Sequence, residues 1–291
     1  MADENEPSRS PLRLIFTFVA VVLVPLVVGL FAAPRLVPKP QIGIVRLSYD
    51  INNLTAYEIT EQLAYARTDP SIKAVVLVIN SPGGSAAYSE ELYLDVLNMR
   101  ADKPVVASVD LLAASGAYYM AAAADEIYAK PTSAVGSIGV ISSLPGDVYI
   151  EEEVLTTGPY KAFGGTRDGS VRQIERAKFA FLEAVRNGRG DRLQVSTDFL
   201  SRAEIFTGVQ ALEMGLIDGL SANEEAIRRA AELAGVSNYQ VVELYPLTFD
   251  DQASYTLAYE PPPIDVQKLW AQPATLAPGL YYRYLELPSY H

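Results

Sequence analysis

Ser115 and Lys161 are the residues that could carry catalysis, because the chain lacks the usual partners of a reactive side chain. It has no cysteine, and its one histidine is His291, the last residue of the sequence. A Ser-His-Asp triad and a Cys-His pair both need an imidazole to accept a proton, and zinc sites rely on His and Cys ligands. We therefore expect no metal and no cofactor. Any nucleophile must use another base, such as a lysine kept neutral by burial.

Ser115 lies in the segment Ala113-Ala-Ser-Gly-Ala-Tyr-Tyr, between a buried apolar run and an Ala-rich helix. The N–H groups and the dipole at a helix N-terminus favour negative charge, so the N–H of Gly116 could face a developing oxyanion. Serine is also a preferred helix N-cap. Taken alone, the local pattern favours an ordinary cap over a nucleophile.

A glycine turn follows another buried run, in the order Ser81-Pro-Gly-Gly. Paired glycines permit close backbone approach and positive φ, so an N–H of this turn could be a second oxyanion donor. The same four residues also form ordinary turns. They are not a phosphate loop, because Gly-x-x-x-x-Gly-Lys-Ser/Thr is absent.

Elimination among the seven lysines leaves Lys161 as the candidate base. The others lie in the N-terminal linker, beside strands, on the polar face of a helix or in the C-terminal tail. Lys161 sits in Thr157-Gly-Pro-Tyr-Lys-Ala-Phe, among aromatic and small residues, where removal from water would favour the neutral amine. The alternative is a surface lysine on a loop.

Strand and helix patterns alternate along the body of the chain, which predicts an α/β fold with mostly parallel pairing. Near-continuous apolar runs indicate strands buried on both faces. The predicted strands are Gln41–Leu47, Ile72–Asn80, Pro104–Val109, Glu126–Ala129, Ile138–Ser142, Leu216–Asp218 and Tyr239–Leu244. The predicted helices are Thr55–Arg67, Ser85–Met99, Ser115–Ala124, Val171–Asn187, Thr207–Met214 and Glu224–Ala234.

Four ordered motifs together resemble the signal peptide peptidase family of bacteria and archaea (SppA type). They are Ile79-Asn-Ser-Pro-Gly-Gly, Ala114-Ser-Gly-Ala-Tyr-Tyr, Ala134-Val-Gly-Ser-Ile-Gly-Val and Gly158-Pro-Tyr-Lys. The resemblance covers roughly Gln41 to Tyr245. It implies a membrane-anchored Ser/Lys protease with the Clp-protease/crotonase fold of repeated β-β-α units, preceded by one transmembrane helix.

The resemblance also implies a role for each matching residue. Ser115 matches the nucleophile and Lys161 the general base. Gly84 and Gly116 match the two positions whose N–H groups form the oxyanion hole. Ser137 matches a serine that hydrogen-bonds the lysine amine and would orient it toward Ser115.

An uncharged run of twenty residues, Leu14–Ala33, is long enough for a membrane helix of ~30 Å. The alternative is a cleaved signal peptide, although the run is long for one. We expect an N-terminal segment, a transmembrane anchor, a Pro-rich linker, a protease domain and a Pro/Tyr-rich extension at residues 1–13, 14–33, 34–40, 41–245 and 246–291. Flanking charges do not decide the orientation; the resemblance places the catalytic domain outside the cytoplasm.

The expected function is a serine endopeptidase that degrades remnant signal peptides or similar membrane-associated peptides as a homo-oligomer. One alternative is a membrane serine protease of the related type that cleaves stomatin-like proteins. Another is a catalytically inactive, crotonase-like binding or scaffold protein. The net charge of −12 belongs almost wholly to the body and argues against a nucleic-acid partner. The extension could lie along a neighbouring subunit or in a substrate groove by strand addition, or be a disordered terminus.

Overall fold

The computed structural model describes residues 11–29, 38–143, 157–158, 160–161, 164–249 and 280–283. The chain divides into two compact units, Met1–Pro40 and Gln41–His291.

The first unit is helical over residues 11–29, with α1 (Pro11–Phe18) followed by a π-helical turn (Val19–Leu23) and a further helical stretch over 24–29. Its described apolar side chains are exposed. None of the helices in the described part of the chain is both long and apolar enough to cross a membrane. Residues 30–33 of the expected anchor and 34–37 of the expected linker lie outside the described residues.

The second unit alternates strands and helices. Its strands are β1 (Gln41–Leu47), β2 (Ile72–Ser81), β3 (Gly83–Ser85), β4 (Val105–Ala114), β5 (Glu126–Ala129), β6 (Ala134–Gly136), β7 (Ile141–Ser142), β8 (Ile205–Thr207), β9 (Gly219–Leu220), β10 (Gln240–Glu243) and β11 (Leu280–Arg283). Its helices are α2 (Asn53–Thr68), α3 (Ala86–Asp102), α4 (Gly116–Ala121), α5 (Arg167–Arg189), α6 (Thr197–Leu200), α7 (Gly208–Glu213), α8 (Asn223–Leu233) and α9 (Tyr245–Thr248).

The main sheet has the order β10-β1-β2-β4-β5-β9, and every neighbouring pair along this path is parallel. β6 adds in parallel to the far end of β4, and β8 pairs antiparallel with β6. This confirms a mixed α/β fold with a parallel-dominated sheet, as the alternating pattern predicts.

The apolar run of β2 shows why the sheet is buried on both faces. Successive side chains of a strand point to opposite faces. Val75 and Leu77 join a cluster with α2, α3, α4 and α5, whereas Val76 and Val78 join a second cluster with α8. Helices therefore cover both faces of the sheet, and the loops at its strand ends remain available for chemistry.

Three strand predictions differ from the structure. The strand expected at Leu216–Asp218 forms at Gly219–Leu220 instead. Leu216 and Ile217 lie in the irregular segment before this strand, and their side chains are buried there. The strand expected at Ile138–Ser142 is only Ile141–Ser142, after the separate strand β6. β4 continues past its expected end at Val109 to Ala114, because β6 pairs with its last residues.

A second, smaller sheet contains part of the C-terminal extension. Its order is β3-β11-β7, and both pairings are antiparallel. Residues 280–283 of the extension are therefore a strand of the second unit. The extension's residues 250–279 and 284–291 lie outside the described residues.

Candidate active site

Ser115 occupies a strained, fully buried turn between β4 and α4. Its φ is 54° and its ψ is −124°, a conformation that non-glycine residues rarely adopt. The backbone is held from both sides, because its N–H donates to Gly136 O at 2.8 Å and its C=O accepts from Tyr119 N at 2.9 Å. Strain of this kind costs about 1–3 kcal/mol and concentrates at functional sites.

The hydroxyl of Ser115 does not serve as a helix cap. Ser115 stands at the N-cap position of α4, but its side chain makes no capping hydrogen bond. Its Oγ is buried and has no hydrogen-bond partner within the described part of the chain. A buried polar atom left unpaired costs stability and calls for an explanation. Helix capping therefore does not explain a serine at this position, and the geometry favours a chemical role for its hydroxyl.

Ser137 is held beside Ser115 by the β4–β6 pairing. Ala114 and Gly136 are opposite each other in the register, so both serines directly follow paired residues. Ser137 also has a positive φ, 52°, and its N–H donates to Glu204 O at 2.8 Å. The structure therefore brings Ser115 and Ser137 together at one strand end.

Gly136 must be a glycine for this arrangement. Its φ is 127°, and a Cβ built there would lie 2.6 Å from the carbonyl oxygen of Glu204. Glu204 directly precedes β8, a strand that the sequence patterns do not predict.

Gly84 lies at the other side of the site, in β3. Its backbone packs so closely on Ile51 that a Cβ would lie 2.1 Å from Ile51 O. The turn before it is fixed by Ser81, whose Oγ donates to Tyr49 O at 2.5 Å and accepts from Gly83 N at 3.1 Å. Sequence reasoning missed this role of Ser81, although a serine two residues before a glycine is a recognised turn signal.

Gly116 is the first residue of α4 and is buried. The first N–H groups of a helix have no partner within the helix. β2 brings its end beside β4, with Ser81 opposite Ala113, so Gly84 and Gly116 follow neighbouring strands. Both predicted oxyanion donors therefore lie just beyond strand ends at the same edge of the sheet.

No hydrogen bond connects Lys161 with Ser115 in the described part of a single chain. Lys161 lies in a turn and is exposed, and Ser115 Oγ accepts no hydrogen bond from it. Its role as the base stays a prediction.

Three other lysines are already engaged. Lys103 Nζ donates to the carbonyl oxygens of Ala66 at 2.6 Å and Asp69 at 2.7 Å, and partial burial lowers the pKa of its amine. Lys130 forms an ion pair with Asp110, and Lys178 pairs with Glu175 one helical turn away. The hydrogen bond from Lys130 holds the pKa of the Asp110 carboxyl below its usual range.

A buried ion pair near Tyr118 of α4 was not identified from the sequence. Arg189 is 1% exposed and makes two hydrogen bonds of 2.8 Å to the carboxylate of Asp218. Arg192 adds a third at 2.9 Å. Burial alone would raise the pKa of Asp218, but these partners and the N–H of Ile127 outweigh it and lower the pKa below its usual value.

Tyr118 links α4 to this network. Its side chain is fully buried, and its hydroxyl donates to Leu216 O at 2.7 Å. Burial raises the pKa of the phenol well above its usual value. Among the described residues, no group of three or more His, Asp or Glu side chains could hold a metal ion.

Comparison with known proteins gives two matching family models and several relatives. Residues 98–237 match Peptidase family S49, and residues 40–136 match Clp protease. Protease 4 of Salmonella typhi is 32% identical over 194 residues, which are 62% of this chain and 31% of that protein. The putative signal peptide peptidase SppA of Enterococcus faecium is 29% identical over 198 residues, which are 62% of this chain and 57% of that protein. The chain thus spans less than two thirds of the length of the curated relatives it matches.

A solved structure is similar in fold. It is a mutant of a membrane-bound stomatin-specific protease, with a TM-score of 0.51 and 14% identity over 71% of this chain and 98% of that one. At this identity the likeness concerns the fold alone. The S49 match spans the positions of Ser115, Ser137 and Lys161, and the Clp match spans those of Gly84 and Ser115. The chain is therefore similar to the SppA type of peptidase family S49, whose model matches residues 98–237.

Proposed function

We propose that the chain is a serine endopeptidase with a Ser115/Lys161 dyad. The observation that carries the proposal is the Ser115 turn, where a buried hydroxyl without a partner in the described chain is held in a strained backbone conformation. The similarity to peptidase family S49 supports a peptide as the substrate. The positions of Gly84 and Gly116 after neighbouring strands support acyl transfer, because N–H groups there can stabilise an oxyanion.

The proposed reaction has two stages. Neutral Lys161 takes the proton of Ser115 Oγ while the oxygen attacks the peptide carbonyl carbon, and the N–H groups of Gly84 and Gly116 bind the oxyanion. The C–N bond then breaks, and the leaving amine takes the proton from Lys161. Water attacks the acyl-enzyme by the same route and releases the acid and free Ser115. Ser137, beside Ser115, would hydrogen-bond the lysine amine and orient it.

Assembly into a homo-oligomer is part of the proposal. A lysine works as a base only when neutral, and solvent favours its charged form. Lys161 is exposed in the single chain, while Ser115 is fully buried. A neighbouring copy that covers the segment around Lys161 would provide the dry surroundings that the amine needs.

Membrane anchoring is also proposed, through the uncharged run Leu14–Ala33. The described apolar side chains of this run are exposed, and exposed apolar surface of that extent is a sign of a partner or a lipid phase. The substrates would then be membrane-associated peptides, remnant signal peptides among them, met by a catalytic domain outside the cytoplasm. Flotation of the full chain with neutral phospholipid vesicles tests the anchor; a protein that stays at the bottom of the gradient contradicts it.

The decisive experiment compares Ser115→Ala and Lys161→Ala with wild type on a quenched-fluorescence peptide of a signal-peptide sequence. We expect each variant to lose at least about a thousandfold in kcat/KM, because dyad residues act as a unit. Lys178→Ala is the matched control and should retain wild-type activity. Sedimentation at the assay concentration reports the oligomer in the same samples.

Three outcomes would overturn parts of the proposal. Lys161→Ala with more than a tenth of wild-type activity would remove the lysine from the mechanism. Failure of Ser115 to react with a serine-acylating probe would favour a binding or scaffold protein. Faster cleavage of a stomatin C-terminal segment than of the signal peptide would replace the proposed substrate class.

A further inference from the structure

The strand β11 of the C-terminal extension fills a slot between two short strands. Its residues Arg283, Tyr282 and Tyr281 lie opposite Gly83, Gly84 and Ser85, respectively. On its other side, Tyr281 and Leu280 lie opposite Ile141 and Ser142. β3 and β7 are not neighbours in this sheet, and each is joined to it through β11. The two edges therefore flank a gap one extended strand wide.

The backbone of Gly84 faces this slot. Ile51 takes up the other edge of β3, because its N–H donates to Gly83 O and its C=O accepts from Ser85 N, both at 2.8 Å. N–H and C=O groups of successive residues in a strand point to opposite sides. The N–H of Gly84 therefore points away from Ile51 and toward Tyr282.

The slot also lies beside the nucleophile. β11 is close to α4, the helix that begins directly after Ser115, and to α3, which begins directly after β3. The N–H group proposed for the oxyanion hole and the serine proposed as nucleophile thus both border the space that β11 takes.

We infer that residues 280–283 are an intramolecular inhibitor, which occupies the slot where an extended peptide substrate must bind. The inference rests on the proposed function for its consequence, but the pairing itself is independent of it. Strand addition relies on backbone hydrogen bonds and accepts many sequences. The chain's own tail can therefore hold this place and must leave before a substrate enters.

The tether makes this competition appreciable. Covalent attachment gives the tail an effective concentration on the order of 1 mM at the slot. If the tail binds there with a Kd of about 0.1 mM, it raises the apparent KM for a peptide about tenfold. The expected signature is a change in KM with kcat preserved, because a displaced tail leaves the catalytic residues untouched.

Tyr282→Pro in the full-length chain tests the inference. Proline has no N–H to donate to Gly84 O and is poorly tolerated between two paired strands. We expect the KM for a short peptide to fall about tenfold while kcat stays within about twofold. Tyr290→Pro is the matched control, in the same tail but beyond β11, and should keep the wild-type KM. An unchanged KM in Tyr282→Pro would overturn the inference.

A binding measurement separates this inference from the proposed activity. The probe is a fluorescein-labelled peptide with the sequence of residues 278–285, and the proteins are full-length chains that carry Ser115→Ala. Fluorescence anisotropy should show about tenfold tighter binding when Tyr282→Pro is added than when Tyr290→Pro is added. This result would support the inference even if no peptidase activity were found. Equal binding to both proteins would refute it, even in an active protease.

Discussion

Two buried hydroxyls three residues apart, at the beginning of α4, differ in their hydrogen bonding. The Ser115 hydroxyl is buried without a hydrogen-bond partner in the described chain, on a backbone with a φ of 54°. The Tyr118 hydroxyl donates to Leu216 O at 2.7 Å, near the doubly hydrogen-bonded ion pair of Arg189 with Asp218.

This difference separates residues that stabilise the fold from a residue that costs stability. Paired buried groups hold α5 and the turn before β9 against α4, and breaking such a pair leaves a buried charge uncompensated. The unpaired, strained serine gives nothing to the fold that a smaller residue could not give. Its substitutions should therefore change activity without loss of stability, whereas those of the network should do the reverse.

The largest expected effect is at the start of the helix. Ser115→Gly should lose at least about a thousandfold in kcat/KM. It should also unfold with a free energy about 1 kcal/mol higher than Ser115→Ala, because glycine adopts positive φ without strain. Urea unfolding of both variants and a peptidase assay measure the two effects. A glycine variant less stable than the alanine variant would show that the turn is not strained.

The next effect is at the buried ion pair between α5 and the turn before β9. Arg189→Ala should lower the free energy of unfolding by about 3–5 kcal/mol, because it leaves Asp218 partly unpaired in the interior. Arg186→Ala, also on α5 but paired with Glu183 at the surface, should lose no more than about 1 kcal/mol. Equal losses in the two variants would mean that the buried Arg189–Asp218 pair stabilises the fold no more than a surface ion pair.

A smaller effect on the free energy of unfolding is expected when the pH is lowered. The folded pKa of Asp218 lies below its unfolded value, so its contribution to stability is complete above the unfolded pKa. It is lost as the pH falls through the folded pKa. Between about pH 5 and pH 3, the free energy of unfolding of wild type should therefore decrease more than that of Asp218→Asn. Parallel curves from urea titrations at each pH would contradict this assignment.

The sequence predicts well those features that arise from a repeating pattern. The apolar run of β2 identifies a doubly buried strand, since both of its faces need apolar side chains, and the structure confirms it from Ile72 onward. The position of Ser115 between a strand and a helix is likewise predicted. Its strain is not, because the φ of this residue depends on the register between β4 and β6, two strands that are separate along the chain.

Two further features depend on partners that are distant in sequence. A charged residue at the end of an amphipathic helix is ordinarily solvated. Arg189 is buried because its guanidinium is paired with Asp218, 29 residues later in the chain. The extension suggests strand addition, but its register on β3 could not be predicted. Glycines carry no side-chain pattern that would specify register.

The smallest predicted effect tests whether Ser115 and Tyr118 are independent of each other. Tyr118→Phe removes the hydroxyl and leaves Leu216 O without that donor, which should cost about 1–2 kcal/mol. Tyr65→Phe is the control, since its partner Asp69 is accessible to water, and it should lose about 0.5 kcal/mol. Urea unfolding measures both variants.

Activity decides the question of independence. Tyr118 lies three residues after Ser115, within one helical turn, so loosening of Tyr118 could shift the nucleophile. If the network only stabilises the fold, kcat/KM of Tyr118→Phe stays within about twofold of wild type, and its change in stability adds to that of Ser115→Ala. A tenfold drop in kcat with KM unchanged, or a non-additive double variant, would instead make Tyr118 a positioning residue for Ser115.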